Sequence, residues 1–154
     1  MNIAIIVVGK TAPEWVATGF KDYLKRLAHY STIDLRIVPP AGNLPATQAM
    51  EKEGVSILSK IGSRDRMILL DERGEGMSSV QFAGFIEKAQ LNSVSSLVFV
   101  TGGAYGVSKA IRERADKTVS FARFTFTHQM IRLLLAEQLY RAFTIIKGQK
   151  YHND

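Results

Sequence analysis

Five short apolar runs, rich in Val, Ile and Phe, recur at residues 3–8, 33–38, 67–70, 97–100 and 118–126, and helix-period stretches fill the intervals between them. Runs of this length and β-branched content read as strands. Between the first two, Val16, Phe20, Tyr23, Leu24 and Leu27 fall at i, i+4, i+7, i+8 and i+11, which predicts an amphipathic helix within residues 13–30. Pro13 stands where a first helical turn tolerates it. Residues 45–61 carry a second such pattern through Ala49, Met50, Ile57, Leu58 and Ile61, with Gly54 as its weak point. Ser78 and Gln81 form a capping box ahead of Phe82, Phe85, Ile86 and Ala89. Ser108 can cap a short helix carrying Ile111 and Ala115, and residues 129–146 form a last helix that is apolar over much of its circumference. Strands alternating with helices predict an α/β fold built on a largely parallel sheet covered on both faces. With 154 residues, no internal repeat and no linker, the expectation is one domain spanning 1–154.

Composition removes several chemistries. The chain has no cysteine, so disulfides, thiolate-ligated zinc, iron–sulfur clusters and a thiol nucleophile are all excluded. Its three histidines, His29, His128 and His152, lack the spacing of metal ligands, so no metal site is expected. The longest apolar run, residues 3–8, is far too short for a membrane span, and no leader-like segment precedes it, so a cytoplasmic protein without a membrane partner is expected. Charge is unevenly placed. Residues 1–108 hold eleven basic and ten acidic side chains, whereas residues 109–154 hold nine and four, so five of the six net positive charges lie in the final third. That asymmetry points to a polyanionic partner such as nucleic acid.

Ligands of open α/β sheets bind beyond the carboxyl ends of the strands. The third strand is followed by Asp71-Glu72-Arg73-Gly74-Glu75-Gly76, the fourth by Thr101-Gly102-Gly103-Ala104-Tyr105-Gly106, and the fifth by Thr127-His128-Gln129. The glycine segment is neither a Walker loop nor a spaced dinucleotide fingerprint. A dinucleotide fold places its glycine loop after the first strand, whereas here it arrives two-thirds of the way along. The site is therefore expected in the C-terminal half.

These residues carry a family resemblance. Glu14-Trp15-Val16, Leu70-Asp71, the Thr101–Gly106 segment, Phe126-Thr127-His128-Gln129-Met130-Ile131-Arg132, Ala136-Glu137-Gln138-Leu139-Tyr140-Arg141-Ala142 and Tyr151-His152 together resemble the RlmH-type SPOUT methyltransferases. That family methylates N3 of a pseudouridine in 23S ribosomal RNA. The resemblance implies a parallel-sheet fold with a C-terminal trefoil knot, a homodimer, S-adenosyl-L-methionine as cofactor, and 23S rRNA of the ribosome as partner. It also implies cofactor contacts at Leu70, Gly102 and the segment Phe121-Ala122-Arg123-Phe124-Thr125-Phe126. After His152 this chain carries Asn153 and Asp154, where some members carry a basic residue.

Histidine is the side chain whose unperturbed pKa suits moving the imide proton, which makes His128 and His152 the candidate catalytic side chains. Lys147, Lys150 and Tyr151, with Arg132 and Arg141, are the candidate RNA contacts, although Glu137 and Arg141 at i, i+4 can also form a simple stabilising pair. Two other readings stay open on sequence alone. A non-catalytic RNA-binding or ribosome-assembly protein would bind rRNA without cofactor affinity, and a small-molecule α/β enzyme would show no preference for RNA.

Overall fold

The structure, a computed structural model, describes residues 1–153. The expectation attached to Asp154 lies outside the described residues. Ten elements follow one another: β1 (Asn2–Val8), α1 (Glu14–Leu27), β2 (Ile33–Val38), α2 (Ala46–Leu58), β3 (Arg66–Gly76), α3 (Ser79–Leu91), β4 (Ser96–Thr101), α4 (Lys109–Arg114), β5 (Lys117–Ser120) and α5 (Met130–Ile146). The strands form one sheet in the order β2-β1-β4-β3-β5, and every pairing is parallel. Central strands of such a sheet are covered twice, which is why β1 and β4 read as unbroken apolar runs: Ile3–Val8 and Leu97–Val100 are all buried.

Alternate residues of each strand feed two cores. Ile3, Ile5, Val7, Ile68, Leu70, Leu97 and Phe99 face α1, α3 and α5, whereas Ala4, Ile6, Val8, Met67, Leu69, Val98 and Val100 face α2 and α4. α5 lies between α1 and α3 and buries Leu135, Ala136, Leu139, Ala142 and Phe143 against the sheet. Its wide apolar surface is thus consumed in good part within one subunit. The capping box at α3 is fully formed, with Gln81 N donating to Ser78 Oγ at 3.1 Å and Ser78 N to Gln81 Oε1 at 2.8 Å. Ser108 caps α4 as expected.

Two strands differ from the expectation. β3 does not end at Leu70. It bulges at Asp71–Gly74 and rejoins β5 through Glu75 and Gly76. The bulge presses so closely on β5 that a Cβ on Gly74 would lie 2.7 Å from the backbone of Thr118 and Val119. β5 in turn stops at Ser120 rather than continuing to Phe126. It is an edge strand paired only with β3, and its last partner is Gly76, where β3 itself ends. Beyond that point the run of Phe and Thr has no ladder to join, and Ser120 Oγ turns the chain by donating to Ala122 O at 2.7 Å.

Candidate functional site

The carboxyl ends of β3, β4 and β5 open onto a cleft of about 540 Å³. Its floor is the glycine turn. Gly106 has φ +94°, a conformation that L side chains rarely adopt, and donates to Gly103 O at 3.1 Å to close the turn. A Cβ on Gly102 would stand 2.9 Å from the Gly106 carbonyl group, so residue 102 must be bare for the two arms of the turn to meet. Just behind it, Thr101 is fully buried and its Oγ1 has no hydrogen-bond partner among the described residues.

The opposite wall is the segment after β5. Phe121, Ala122, Phe124, Thr125 and Phe126 line the cleft together with Leu70 and Gly102, whereas Arg123 is exposed and is not among the lining residues. Phe121 still belongs partly to the core, edge-on to Phe82 at 5.8 Å. Phe124 is 81% exposed and Phe126 38% exposed, so these two rings are not strand packing; they stand free at the cleft. Thr125 donates to Glu72, which ties this wall to the β3 bulge. Asp71 on that bulge pairs with Arg112 at 2.7 Å.

His128 completes the wall at the entry to α5, where the Thr127 hydroxyl accepts from Met130 N at 3.1 Å and begins the helix. Burial, and then the neighbouring charge of Arg132, push the His128 pKa below its ordinary value, against a smaller opposing pull from Glu53. The imidazole is therefore neutral near pH 7.

Arg132 was expected to meet substrate phosphate, and its placement is different. The side chain is wholly buried and its donors are spent inside the protein, on His128 O at 3.0 Å, Gly9 O at 2.9 Å, Thr11 Oγ1 at 3.0 Å and Val8 O. Burial pulls its pKa down to about 10, which leaves it charged at neutral pH. Gln129 repeats the tie, accepting from Ala12 N at 3.0 Å and donating to Lys10 O at 3.1 Å. The start of α5 is thus fastened to the loop between β1 and α1.

The other candidates gather at the far end of α5. Glu137 accepts from Arg141 and from Tyr151 Oη at 3.0 Å. Because that tyrosine hydrogen is committed, the Tyr23 hydroxyl donates in the 3.0 Å contact between the two phenols. Burial, followed by these hydrogen bonds, raises the Tyr151 pKa, while the bond to Glu137 raises that of Arg141. The Arg141 guanidinium also lies 4.8 Å over the Tyr151 ring and 3.2 Å from His152 Nδ1. A guanidinium only donates, so Nδ1 accepts, and in the neutral ring the hydrogen resides on Nε2. His152 is held in place by the body of the protein rather than carried on a loose tail. His128 and Arg141 are thirteen residues apart, roughly 20 Å along a helix, so one substrate base cannot touch both ends of α5 in a single subunit.

Of the nine basic residues in the final third, Arg112, Arg114, Lys117, Arg141 and, more loosely, Lys109 are ion-paired, and Arg132 is buried. Arg123, Lys147 and Lys150 are exposed and form no ion pair among the described residues. Sequence reasoning missed Glu53, a buried acid facing the glycine turn from α2. The signal was present: residues 49, 53 and 57 share one helix face, and its outer members, Ala49 and Ile57, are apolar core residues. Among the described residues, no group of three or more His, Cys, Asp or Glu side chains is arranged to hold a metal, and no helix is long and apolar enough to cross a membrane.

A glycine-floored, aromatic-walled cleft at the end of a parallel sheet, formed late in the chain, agrees with what comparison reveals: the family model described as "Predicted SPOUT methyltransferase" matches residues 1–152, and this chain belongs to that family. Its relatives include proteins named "Ribosomal RNA large subunit methyltransferase H". The Geotalea daltonii protein is 44% identical, with 99% of this chain and all of the relative covered. The Flavobacterium johnsoniae protein is 46% identical with 99% of each covered, and that of Porphyromonas gingivalis is 40% identical over the whole of both. A probable methyltransferase from Bordetella pertussis shares the fold, with a TM-score of 0.57 over 92% of this chain and 95% of that one at 13% identity.

Proposed function

We infer that this protein is an S-adenosyl-L-methionine-dependent methyltransferase of large-subunit ribosomal RNA that methylates N3 of a pseudouridine in 23S rRNA. The observation that carries the reading is the cleft itself, in a chain of the SPOUT methyltransferase family whose full-length relatives are named as rRNA methyltransferases. The residues present suit the cofactor. Leu70 with Phe124 and Phe126 offers apolar surface for an adenine, and the backbone of the tight glycine turn, closed because Gly102 is bare, lies alongside with its polar groups. When bound, the cofactor supplies a methyl group already activated by its sulfonium. The protein's task is to align that group with the ring nitrogen and to manage one proton.

The imide nitrogen must lose its hydrogen as the new bond forms. His128, neutral and on the cleft wall, accepts it. His152 has its Nδ1 occupied by Arg141 and serves as a hydrogen-bond donor through Nε2. Arg123 by the cleft, and Lys147 and Lys150 on the tail, supply the phosphate contacts, with Tyr151 anchoring the tail. Because the two ends of α5 are too far apart to share one base, the working form is a homodimer in which the tail of one subunit serves the cleft of the other. A C-terminal trefoil knot around the cleft and a cytoplasmic location beside the ribosome complete the reading.

The test is transfer of labelled methyl to purified ribosomes, with the product mapped by mass spectrometry. One methyl on a 23S pseudouridine is expected. Ribosome binding without transfer would favour an assembly protein instead.

A further inference from the structure

The buried carboxylate of Glu53 takes no part in the steps above. It is 7% exposed, and its Oε2 accepts from Ala41 N at 3.2 Å. Its Oε1 lies against Gly103, so that a Cβ on that glycine would come within 2.5 Å of it. Gly103 is on the cleft wall and Glu53 stands directly behind it. It is also near enough to His128 to oppose, in small part, the lowering of that ring's pKa.

The other acids beside the cleft are differently placed. Asp71 is paired with Arg112 at 2.7 Å, and Glu72 is exposed to solvent. Glu53 has neither remedy: among the described residues it forms no ion pair, and little water reaches it. An unpaired charge in a poorly solvated wall projects its field into the adjoining space and favours a positive ligand there. On the reading of the cleft as the cofactor site, substrate and product differ in this respect. The sulfonium loses its charge when the sulfur–methyl bond breaks, the methyl joins the ring nitrogen and the nitrogen's proton passes to the base; the thioether left behind is neutral at sulfur.

We propose that Glu53 sets the cleft's discrimination between the charged methyl donor and the neutral thioether product, acting through its field from behind Gly103. It is a positioning residue for charge rather than a catalytic one.

Calorimetric titration of the full-length protein with S-adenosylmethionine, its ammonium analogue sinefungin and S-adenosylhomocysteine tests this without reference to turnover. Glu53→Gln keeps the shape and an acceptor for Ala41 N. It should shift the donor-to-product affinity ratio about tenfold toward product, with sinefungin following the donor and S-adenosylhomocysteine affinity changing less than about twofold, a tenfold change being about 1.4 kcal/mol. Glu53→Asp, which withdraws the charge without removing it, should shift the ratio the same way by about two- to threefold, and it carries the test if the Gln variant does not fold. Parallel loss of all three ligands, or an unmoved ratio, overturns the proposal. In the cofactor-free protein, NMR titration of His128 should move to lower pH in Glu53→Gln, and an unchanged titration also overturns it. A wild-type protein that binds none of the three ligands would remove the cofactor reading itself, whereas normal binding with an unmoved ratio removes only the role of Glu53.

Discussion

The two ends of α5 carry similar residue types and use them in opposite ways. At the start, Arg132 and Gln129 bond chiefly to main-chain groups, those of Val8, Gly9, Lys10, Ala12 and His128, with the Thr11 hydroxyl beside them. At the far end, Arg141, Glu137, Tyr151, Tyr23 and His152 bond to one another's side chains. Backbone partners cannot swing away, so the first arrangement fixes the wall of the cleft. Side-chain partners are only half-buried and can be exchanged, so the second holds the tail less rigidly. An arginine wrapped in carbonyls is part of the frame, and one in a side-chain network is available for function.

The largest effect should come from the cleft floor. Gly102→Val forces the arms of the glycine turn apart, and titration should show at least a hundredfold loss of S-adenosylmethionine affinity with the circular dichroism spectrum unchanged. Retained affinity would take this turn out of the site. Next is the contrast between the arginines. Arg132→Ala leaves three carbonyls and a hydroxyl without their donor in the interior and should cost about 3–5 kcal/mol in urea unfolding. Arg141→Ala, whose partners are side chains in a mostly buried pair, should cost less, about 1–2 kcal/mol, yet abolish methylation. Equal stability losses would erase the distinction.

Removing residues 147–154 should cripple rRNA methylation and flatten the salt dependence of ribosome binding, while cofactor affinity stays within about twofold. Mixed with Gly102→Val subunits, the truncated protein should regain part of its activity, because one subunit then supplies the tail and the other the cleft. No recovery in mixtures that demonstrably exchange subunits would place both functions in one chain. The smallest effect concerns His128. Its pKa is lowered on folding, so the unfolded chain binds more protons between the folded value and about 6.5. Stability therefore falls as pH drops through that window. The urea midpoint should decline less between pH 7.5 and 5.5 in His128→Gln than in the wild type, and identical declines would mean that the ring is not held neutral.

Much of the frame was legible in the sequence because burial on both faces leaves nothing but apolar residues in β1 and β4, and because Ser78 and Gln81 announce a helix start by chemistry alone. The end of β5 was not legible. Phe121 to Phe126 has strand composition, and only the exhaustion of its partner at Gly76 turns it into a cleft wall. Arg132 misled for a related reason: two of its partners are carbonyls more than a hundred residues away, and every residue has one. The glycine turn follows its strand as the spacing suggests, whereas the bulge of β3 and the wall from Phe121 to Phe126 do not, and the inward sense of Arg132 depends on long-range contacts that no local spacing encodes.

The tie from Arg132 to Val8 and Gly9 also has a kinetic meaning. It joins residues separated by 124 and 123 positions, and β1 between β2 and β4 cannot be enclosed until residue 96 and beyond are available. Closing a chain segment of that length costs about 4 kcal/mol of entropy before the contact returns anything. Folding should therefore be slow for a chain of this size, and its final step should be the seating of α5 on the β1–α1 loop. The cleft wall at His128 is assembled in that same step, so a nascent or partly unfolded chain has no binding site to offer. Ligand affinity becomes a report on completed folding.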